Sequence, residues 1–326
     1  MADPRQVLVT GGSGFIGSHL VATLIARGDH VVVIDDLSTG RQSNLDGLPD
    51  DQLQFIESTV HDQVGAGSLP AFDEIYHLAA AVGVKLIVDS PVQCIENNVH
   101  ETSLMLRMAA ERGCPILIAS TSEVYGKSER LPFSEDDDVI YGPTTEPRWS
   151  YACSKAIDEH LALGWHTSSG LPVVITRFFN TVGPRQRGRW GMVLPRFVAA
   201  ALRGEPLHVH GDGTQERCFV DVRDVAPALP RLLSNSNAHG RVVNIGHDES
   251  VSINDLAARV IAMLDSSSDI KFVSVADDYG RDIEDLQARV PDLRRLRSLC
   301  KFHPTFDLDQ TILDTAAAMR AEKSER

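Results

Sequence analysis

The stretch VLVTGGSGFIGSHL, residues 7–20, constrains the fold more than any other in the chain. It places Gly11, Gly12, Gly14 and Gly17 between an apolar, β-rich run and an amphipathic helical pattern. Glycines at such a junction permit a tight turn, let the backbone approach a pyrophosphate, and let helix and strand pack closely. The amides at the helix start, here Phe15 and Ile16, supply donors and a favourable dipole for an anion. Because the loop fits both G-x-G-x-x-G and G-x-x-G-x-x-G registers, its pattern alone does not assign one role to each glycine. The next apolar run, HVVVID, ends in Asp35, where a carboxylate can accept hydrogen bonds from ribose hydroxyls and repel a 2′-phosphate. NAD is therefore expected over NADP.

The unit of short apolar run, turn and longer helical pattern recurs through the first half. EIYHLA, TSLMLRMAAERG, PILIAS, YACSKAIDEHLALGWHTSSG and PVVITRF follow in turn. Alternating β and α elements with continuously apolar strands predict a doubly wound parallel α/β sheet of Rossmann type, covered by helices on both faces. After Asn180 the pattern loosens into TVGPRQRGRWGMVLPRF, rich in Gly, Pro and Arg. The expected division is an NAD-binding domain over 1–180 and a smaller α/β substrate domain over 181–326, with the strand RVVNIG at 241–246 a candidate to rejoin the first sheet. Ser252 is placed to cap a helix over SINDLAARVIAMLD.

Composition removes several classes of function. The chain of 326 residues carries 45 acidic against 31 basic side chains, for a net charge of −14, and has no basic block to follow a phosphate backbone. Nucleic acid is not an expected partner. No apolar stretch reaches the ~20 residues needed to span a bilayer, and MADPRQ leads directly into a strand, so the cytoplasm is the default location and no membrane partner is expected. The five cysteines, Cys94, Cys114, Cys153, Cys218 and Cys300, are scattered without a metal-ligand spacing. They are read as free thiols, Cys153 as a packing residue, and no metal is expected. The acidic run FSEDDDV reads as a solvated turn.

In RWSYACSKAIDEH, Tyr151 and Lys155 stand four residues apart, on one face of a helix. A phenol near its reference pKa of ~10 is a poor base at neutral pH, but a neighbouring ammonium and a positive nicotinamide ring both favour its ionisation. Tyr151 is thus a candidate acceptor of a proton from a substrate hydroxyl. Lys155 would lower its pKa and hold the nicotinamide ribose.

Gly11 to Gly17, Asp35, HLAA at 77–80, Thr121-Ser122, Tyr151 and Lys155 together resemble the extended short-chain dehydrogenase/reductase superfamily, in its NAD-dependent nucleotide-sugar epimerase/dehydratase branch. RFFNTVGPRQ and HGDGTQERCFVDVRDV extend the likeness to nearly the whole chain. The resemblance implies that Leu78, Ala79 and Ala80 line the cofactor site, and that a UDP-sugar lies in the cleft between the lobes. It further implies that the sugar is oxidised at C4 and usually reduced again in the same turnover, with Thr121 or Ser122 on O4 beside Tyr151. Asn180 and Arg217 would meet the diphosphate, and Arg289 a phosphate or a substrate carboxylate. A homodimer through paired helices is implied by the family alone. One departure is Ser58-Thr59 where the family often has Gly-Asp for the adenine amine; Thr59 offers a weaker hydroxyl contact.

The resemblance also ranks the products. Thr121 to Gly126 match the UDP-glucuronate decarboxylases residue for residue, while Ser122 replaces the Asp that 4,6-dehydratases carry. A 4-keto sugar acid is a β-keto acid, and an acidic Glu123 with Arg289, or Arg185 as a second anchor, suits loss of its carboxylate. The loop HLAAAVGVKLIVDSP, with Lys85 in reach of substrate, looks more like the 4-epimerases. UDP-glucuronate decarboxylation is expected, with UDP-sugar 4-epimerisation as the alternative. Arg187 and Arg189 read as a solvated loop. An NAD-sensing regulatory protein on the same fold would keep the glycines but need not keep Tyr151 and Lys155.

Overall fold

The structure is a computed structural model, and it describes residues 4–67, 69–81, 90–188, 192–274 and 286–324. In chain order the first lobe comprises β1 (Gln6–Thr10), α1 (Phe15–Ala26), β2 (His30–Asp35), β3 (Leu53–Glu57), α2 (Val60–Gly65), β4 (Glu74–His77), α3 (Pro91–Arg112), β5 (Ile116–Thr121), α4 (Arg148–Ser169) and β6 (Val173–Phe178). There follow β7 (Thr181–Val182), α5 (Val193–Ala201), β8 (Leu207–His210), β9 (Glu216–Cys218), β10 (Val220–Asp221), α6 (Val222–Leu233), β11 (Arg241–Ile245), β12 (Ser250–Ser252), α7 (Ile253–Met263), β13 (Ile270–Val273), β14 (Ala288–Arg289), α8 (Arg294–Cys300) and α9 (Leu308–Ser324).

Seven strands form one sheet in the order β11-β6-β5-β4-β1-β2-β3, and every pairing within it is parallel. Successive side chains of a strand point to opposite faces, which is why the strands had to be apolar throughout. Val7 and Val9 of β1 face a core with Leu20, Val21 and Leu24 of α1 and Leu229 and Leu232 of α6. Leu8 faces the opposite core, with Met105 and Leu106 of α3 and Ala162 of α4. The chain crosses between lobes more than once: α6 packs on α1, and β11 closes the sheet beside β6. A separate apolar cluster joins Leu194 and Phe197 of α5, Leu207 and Val209 of β8, Leu256 and Val260 of α7 and Ile312 of α9. Ser252 caps α7 by accepting the Asp255 N–H at 3.0 Å.

Two local readings change. Glu135 of the acidic run is not solvated: its carboxylate is buried and accepts the backbone N–H of Asn244 at 2.9 Å. Thr59 caps α2, accepting the Asp62 N–H at 3.1 Å and donating to the Asp62 carboxylate at 2.8 Å. Its hydroxyl proton is therefore already engaged, because a helix start with four orphan amides competes for any nearby oxygen. All five cysteines are free thiols.

Candidate active site

Strand order reverses between β1 and β4, and ligands of open parallel sheets bind beyond the carboxyl ends of strands at such a point. A cavity of about 670 Å³ opens there and runs from the glycine loop to Arg217 and Arg289. At its cofactor end, Gly11 has φ +70° and lies so close to the β4 exit that a Cβ would stand 2.8 Å from the Ala79 nitrogen. The Leu78–Ala80 segment and the glycine loop, far apart in sequence, are thus one wall. At Gly17 an added Cβ would stand 2.1 Å from the Gly11 carbonyl oxygen. Gly14 caps α1 without any side-chain hydrogen bond, and the first turn holds no acidic residue. Phe15 and Ile16, the first residues of this helix, line the cavity.

Asp35, at the end of β2, accepts the Ser13 N–H and the Leu37 N–H, each at 2.9 Å. Burial pushes its carboxyl above the usual range, and these amides act against that. Each oxygen keeps a further lone pair for a ribose hydroxyl, and Asp35 lines the cavity. An open anion-binding helix start, glycines that only a bare backbone can satisfy, and this carboxylate fit NAD.

At the chemical end, β5 runs into a 3₁₀ turn, Ser122–Tyr125, capped by the Thr121 hydroxyl, which accepts the Glu123 N–H at 3.2 Å. Ser122 is buried at the cavity wall. From α4 come Tyr151 and Lys155. The Lys155 ammonium donates to the Asp158 carboxylate at 2.7 Å. The Tyr151 phenol is held above its ordinary value, first by burial and then by the Glu123 carboxylate, while a hydrogen bond with Thr121 acts the other way. The charge of Asp158, which engages Lys155, is a smaller cause in the same direction as burial. Below this pair, His77 bridges the Thr10 hydroxyl at 2.7 Å and the Thr102 hydroxyl at 3.2 Å. Burial, then the charge of Lys155, push its pKa down to about 3, so it is a neutral structural link.

Glu123 lies between two guanidiniums: Arg289 of β14 at 2.5 Å and Arg148 of α4 at 3.3 Å. Arg289 and Glu123 are 166 positions apart in sequence. Arg217 and Arg289 are cross-strand partners on β9 and β14, so two cationic side chains enter the cavity side by side. Asn180 donates to the Cys218 carbonyl at 3.2 Å and also lines the cavity. Arg185 adopts φ 72°, an uncommon conformation outside glycine, and lines the cavity; burial first, and then its charge, lower the pKa of His19 on α1. Arg187 lines the cavity wall. Lys85 and Arg189 lie outside the described residues.

Arg148 was not among the residues expected in the site. Its spacing held the signal: it precedes Tyr151 by three residues, and i, i+3 side chains share a helix face.

A doubly wound sheet that presents a dinucleotide loop and a Tyr-x-x-x-Lys helix to one cleft is the architecture of the extended short-chain dehydrogenases/reductases. Comparison with known proteins narrows this: the model of the NAD dependent epimerase/dehydratase family matches residues 7–246, and the chain belongs to that family. A UDP-N-acetyl-alpha-D-glucosaminuronate decarboxylase of Bacillus cytotoxicus is 38% identical over 313 residues, which cover 95% of this chain and 96% of that protein. UDP-glucuronic acid decarboxylase 1 of Xenopus tropicalis is 34% identical over 98% of this chain and 73% of its own length. The crystal structure of UDP-glucuronic acid 4-epimerase from Bacillus cereus, in complex with UDP-glucuronic acid and NAD, is 28% identical, with a TM-score of 0.86 over 97% of this chain and 99% of that one. The protein is an NAD-dependent enzyme of the lyase or isomerase class.

Proposed function

We propose that the enzyme decarboxylates a UDP-hexuronate, with UDP-glucuronate and its 2-acetamido counterpart as the substrates to test. The observation that carries this reading is the Glu123 carboxylate held between Arg148 and Arg289, at the end of the cavity that holds Tyr151. NAD would be held by the glycine loop, Asp35 and Lys155 and would supply the hydride acceptor and donor for sugar C4. Tyr151 accepts the proton of the C4 hydroxyl, with Thr121 in hydrogen-bonding reach of the phenol. At the resulting β-keto acid the bond from C5 to the carboxylate breaks, its electron pair moves toward the C4 carbonyl, and carbon dioxide leaves. Arg289 and Arg148 supply the positive field that a carboxylate needs to dock, and Glu123, after taking up a proton from solvent, is the acid-base group that delivers it to C5 as carbon dioxide leaves.

Asn180, Arg185 and Arg217 are assigned to the phosphates, because cationic and amide groups at the cleft wall match that charge. A homodimer through α3 and α4 is supported by the exposed apolar side chains Val92, Ile95 and Ile157 on those two helices. No helix among the described residues is long and apolar enough to cross a membrane, and the cytoplasm remains the default compartment. The presence of both Tyr151 and Lys155 supports turnover over an NAD-sensing role.

The test is incubation of the enzyme and NAD with each sugar acid, followed by product mass. Loss of carbon dioxide supports the proposal. An unchanged mass at altered retention identifies a 4-epimerase, the reading favoured by the 28% identical epimerase structure. No conversion of either acid overturns the assignment, and so does a Tyr151→Phe variant with full turnover.

A further inference from the structure

Asp158 stands outside the site expected from the sequence, yet it makes the closest polar contact to Lys155. Its carboxylate accepts from the ammonium at 2.7 Å, and the two side chains are 0% and 3% exposed. Its second oxygen, Oδ1, is buried, and the Thr102 hydroxyl acts on the carboxylate in the same sense as the ammonium. Buried charges are costly unless paired, and here the partner chosen is the ammonium that stands four residues from Tyr151 on the same helix face. We propose that Asp158 is a positioning residue for the proton-transfer pair: it fixes the Lys155 ammonium, and its negative charge offsets the field of that ammonium at Tyr151. The inference rests on the reading of Tyr151 and Lys155 as that pair.

The geometry gives each group a definite share. An ammonium has three protons, and the one engaged by Asp158 orients the other two. The surroundings leave few competitors: from β4 comes neutral His77, from α3 the Thr102 hydroxyl and the Cys94 thiol, and from the turn after β5 the Glu123 carboxylate. Glu159, the next residue of α4, is bound to Arg177 of β6 and contributes little net charge. Without Asp158 the ammonium would act on the phenol against the Glu123 carboxylate alone. Residues 151 and 158 lie about 10 Å apart along the helix axis, and one charge at that distance shifts a titration by ~0.5–1 pH unit at an interior dielectric of ~20–40.

Asp158→Asn keeps the shape and one acceptor but removes the charge. In the NAD-loaded enzyme, the acid limb of the kcat profile is expected to move down by ~0.5–1 pH unit, so that turnover below the wild-type limb rises roughly three- to ten-fold. Tyrosinate absorbance, taken as the difference from Tyr151→Phe, should move by the same interval. An acid limb and a tyrosinate titration that stay in place, with only a lower melting temperature, would show a merely structural residue and sink the inference. Should Asp158→Asn not fold, the double variant Lys155→Met/Asp158→Asn, which removes both buried charges, is compared with Lys155→Met. Its phenol should titrate ~0.5–1 unit lower, and equality of the two overturns the proposal. Full turnover by Tyr151→Phe would instead remove the underlying reading, so the two failures are distinct.

Discussion

Replacing Gly17 by Ala sets two opposed effects against each other inside α1. Ala is the better helix former by about 1 kcal/mol, and by propensity alone the variant would be the more stable protein. The structure opposes this. The new Cβ would stand 2.1 Å from the Gly11 carbonyl oxygen, 2.8 Å from the Gly12 Cα and 2.9 Å from the Gly11 carbonyl carbon. All three are backbone atoms, and the first contact falls about 0.9 Å short of the 3.0 Å that real Cβ atoms respect. Relief requires the turn to move, but Gly11 is pinned by its N–H to the Ile34 carbonyl at 2.8 Å. Overpacking of this kind costs about 1–3 kcal/mol, enough to exceed the propensity gain, and the displaced amides are those that meet a pyrophosphate. Gly164→Ala is the control. Gly164 is an exposed residue of α4 where an added Cβ meets nothing within 4 Å, and the same substitution should stabilise by up to about 1 kcal/mol. Urea denaturation and calorimetric titration with NAD measure both quantities. We expect Gly17→Ala to lose about 1–2 kcal/mol of stability and at least ten-fold in NAD affinity, while Gly164→Ala keeps wild-type affinity. If both variants are equally stable and bind NAD alike, the close approach has no energetic consequence and the reasoning fails.

Three further perturbations address other links. Glu123→Ser should reduce carbon dioxide release by about 10²- to 10³-fold, the range for a positioned acid-base group; product mass spectrometry on the sugar acids decides it, and an unchanged rate would remove Glu123 from the chemistry. Arg177→Met strips the buried Glu159 carboxylate of two hydrogen bonds, at 2.9 and 2.7 Å, and leaves it only Ser120 at 2.5 Å. The expected loss is about 3–5 kcal/mol, read as a lowered urea midpoint, and a loss under about 1 kcal/mol would mean the pair behaves like a surface bridge. Burial first, then Asp36 and Asp62, push the Glu101 carboxyl up to about 7, above its unfolded value of ~4.3. The folded state therefore holds this proton more tightly, and its contribution to stability is full below the unfolded value and lost as pH rises through the folded one. Melting curves between pH 4.5 and 8 should show a decline that is flatter in Glu101→Gln; parallel curves would exclude Glu101 as the source.

What could be read in advance was what local spacing encodes. The glycine loop, the Asp closing β2 and the Tyr-Lys helix face are patterns of a few residues, and strands enclosed on both faces need continuous apolar runs. Contacts between distant segments left no such trace. Glu135 sits in a run of four acids, and only the docking of β11, which presents the Asn244 amide, makes it a buried acceptor. Lys155 was placed beside Tyr151 because four residues separate them; Asp158, three residues further on the same helix face, was not read from that spacing, and the structure shows it accepting from the ammonium. Glu123 and Arg289 came together through resemblance, and the structure changes how the pair must work. An isolated Glu123 would expel a substrate carboxylate by repulsion. Held by Arg289 and Arg148, it forms a group of net charge +1 with its partners, so an incoming carboxylate is attracted to the two guanidiniums and competes with Glu123 for them. Binding of the sugar acid would then release Glu123 toward Tyr151 and C5, where it takes up a proton from solvent and passes it to C5, and loss of the neutral product carbon dioxide would return the guanidiniums to Glu123. On this reading Arg289→Met, with Glu123 still held by Arg148, should weaken sugar-acid binding before it slows carbon-carbon cleavage. A KM unchanged with kcat reduced would instead restore the repulsion mechanism.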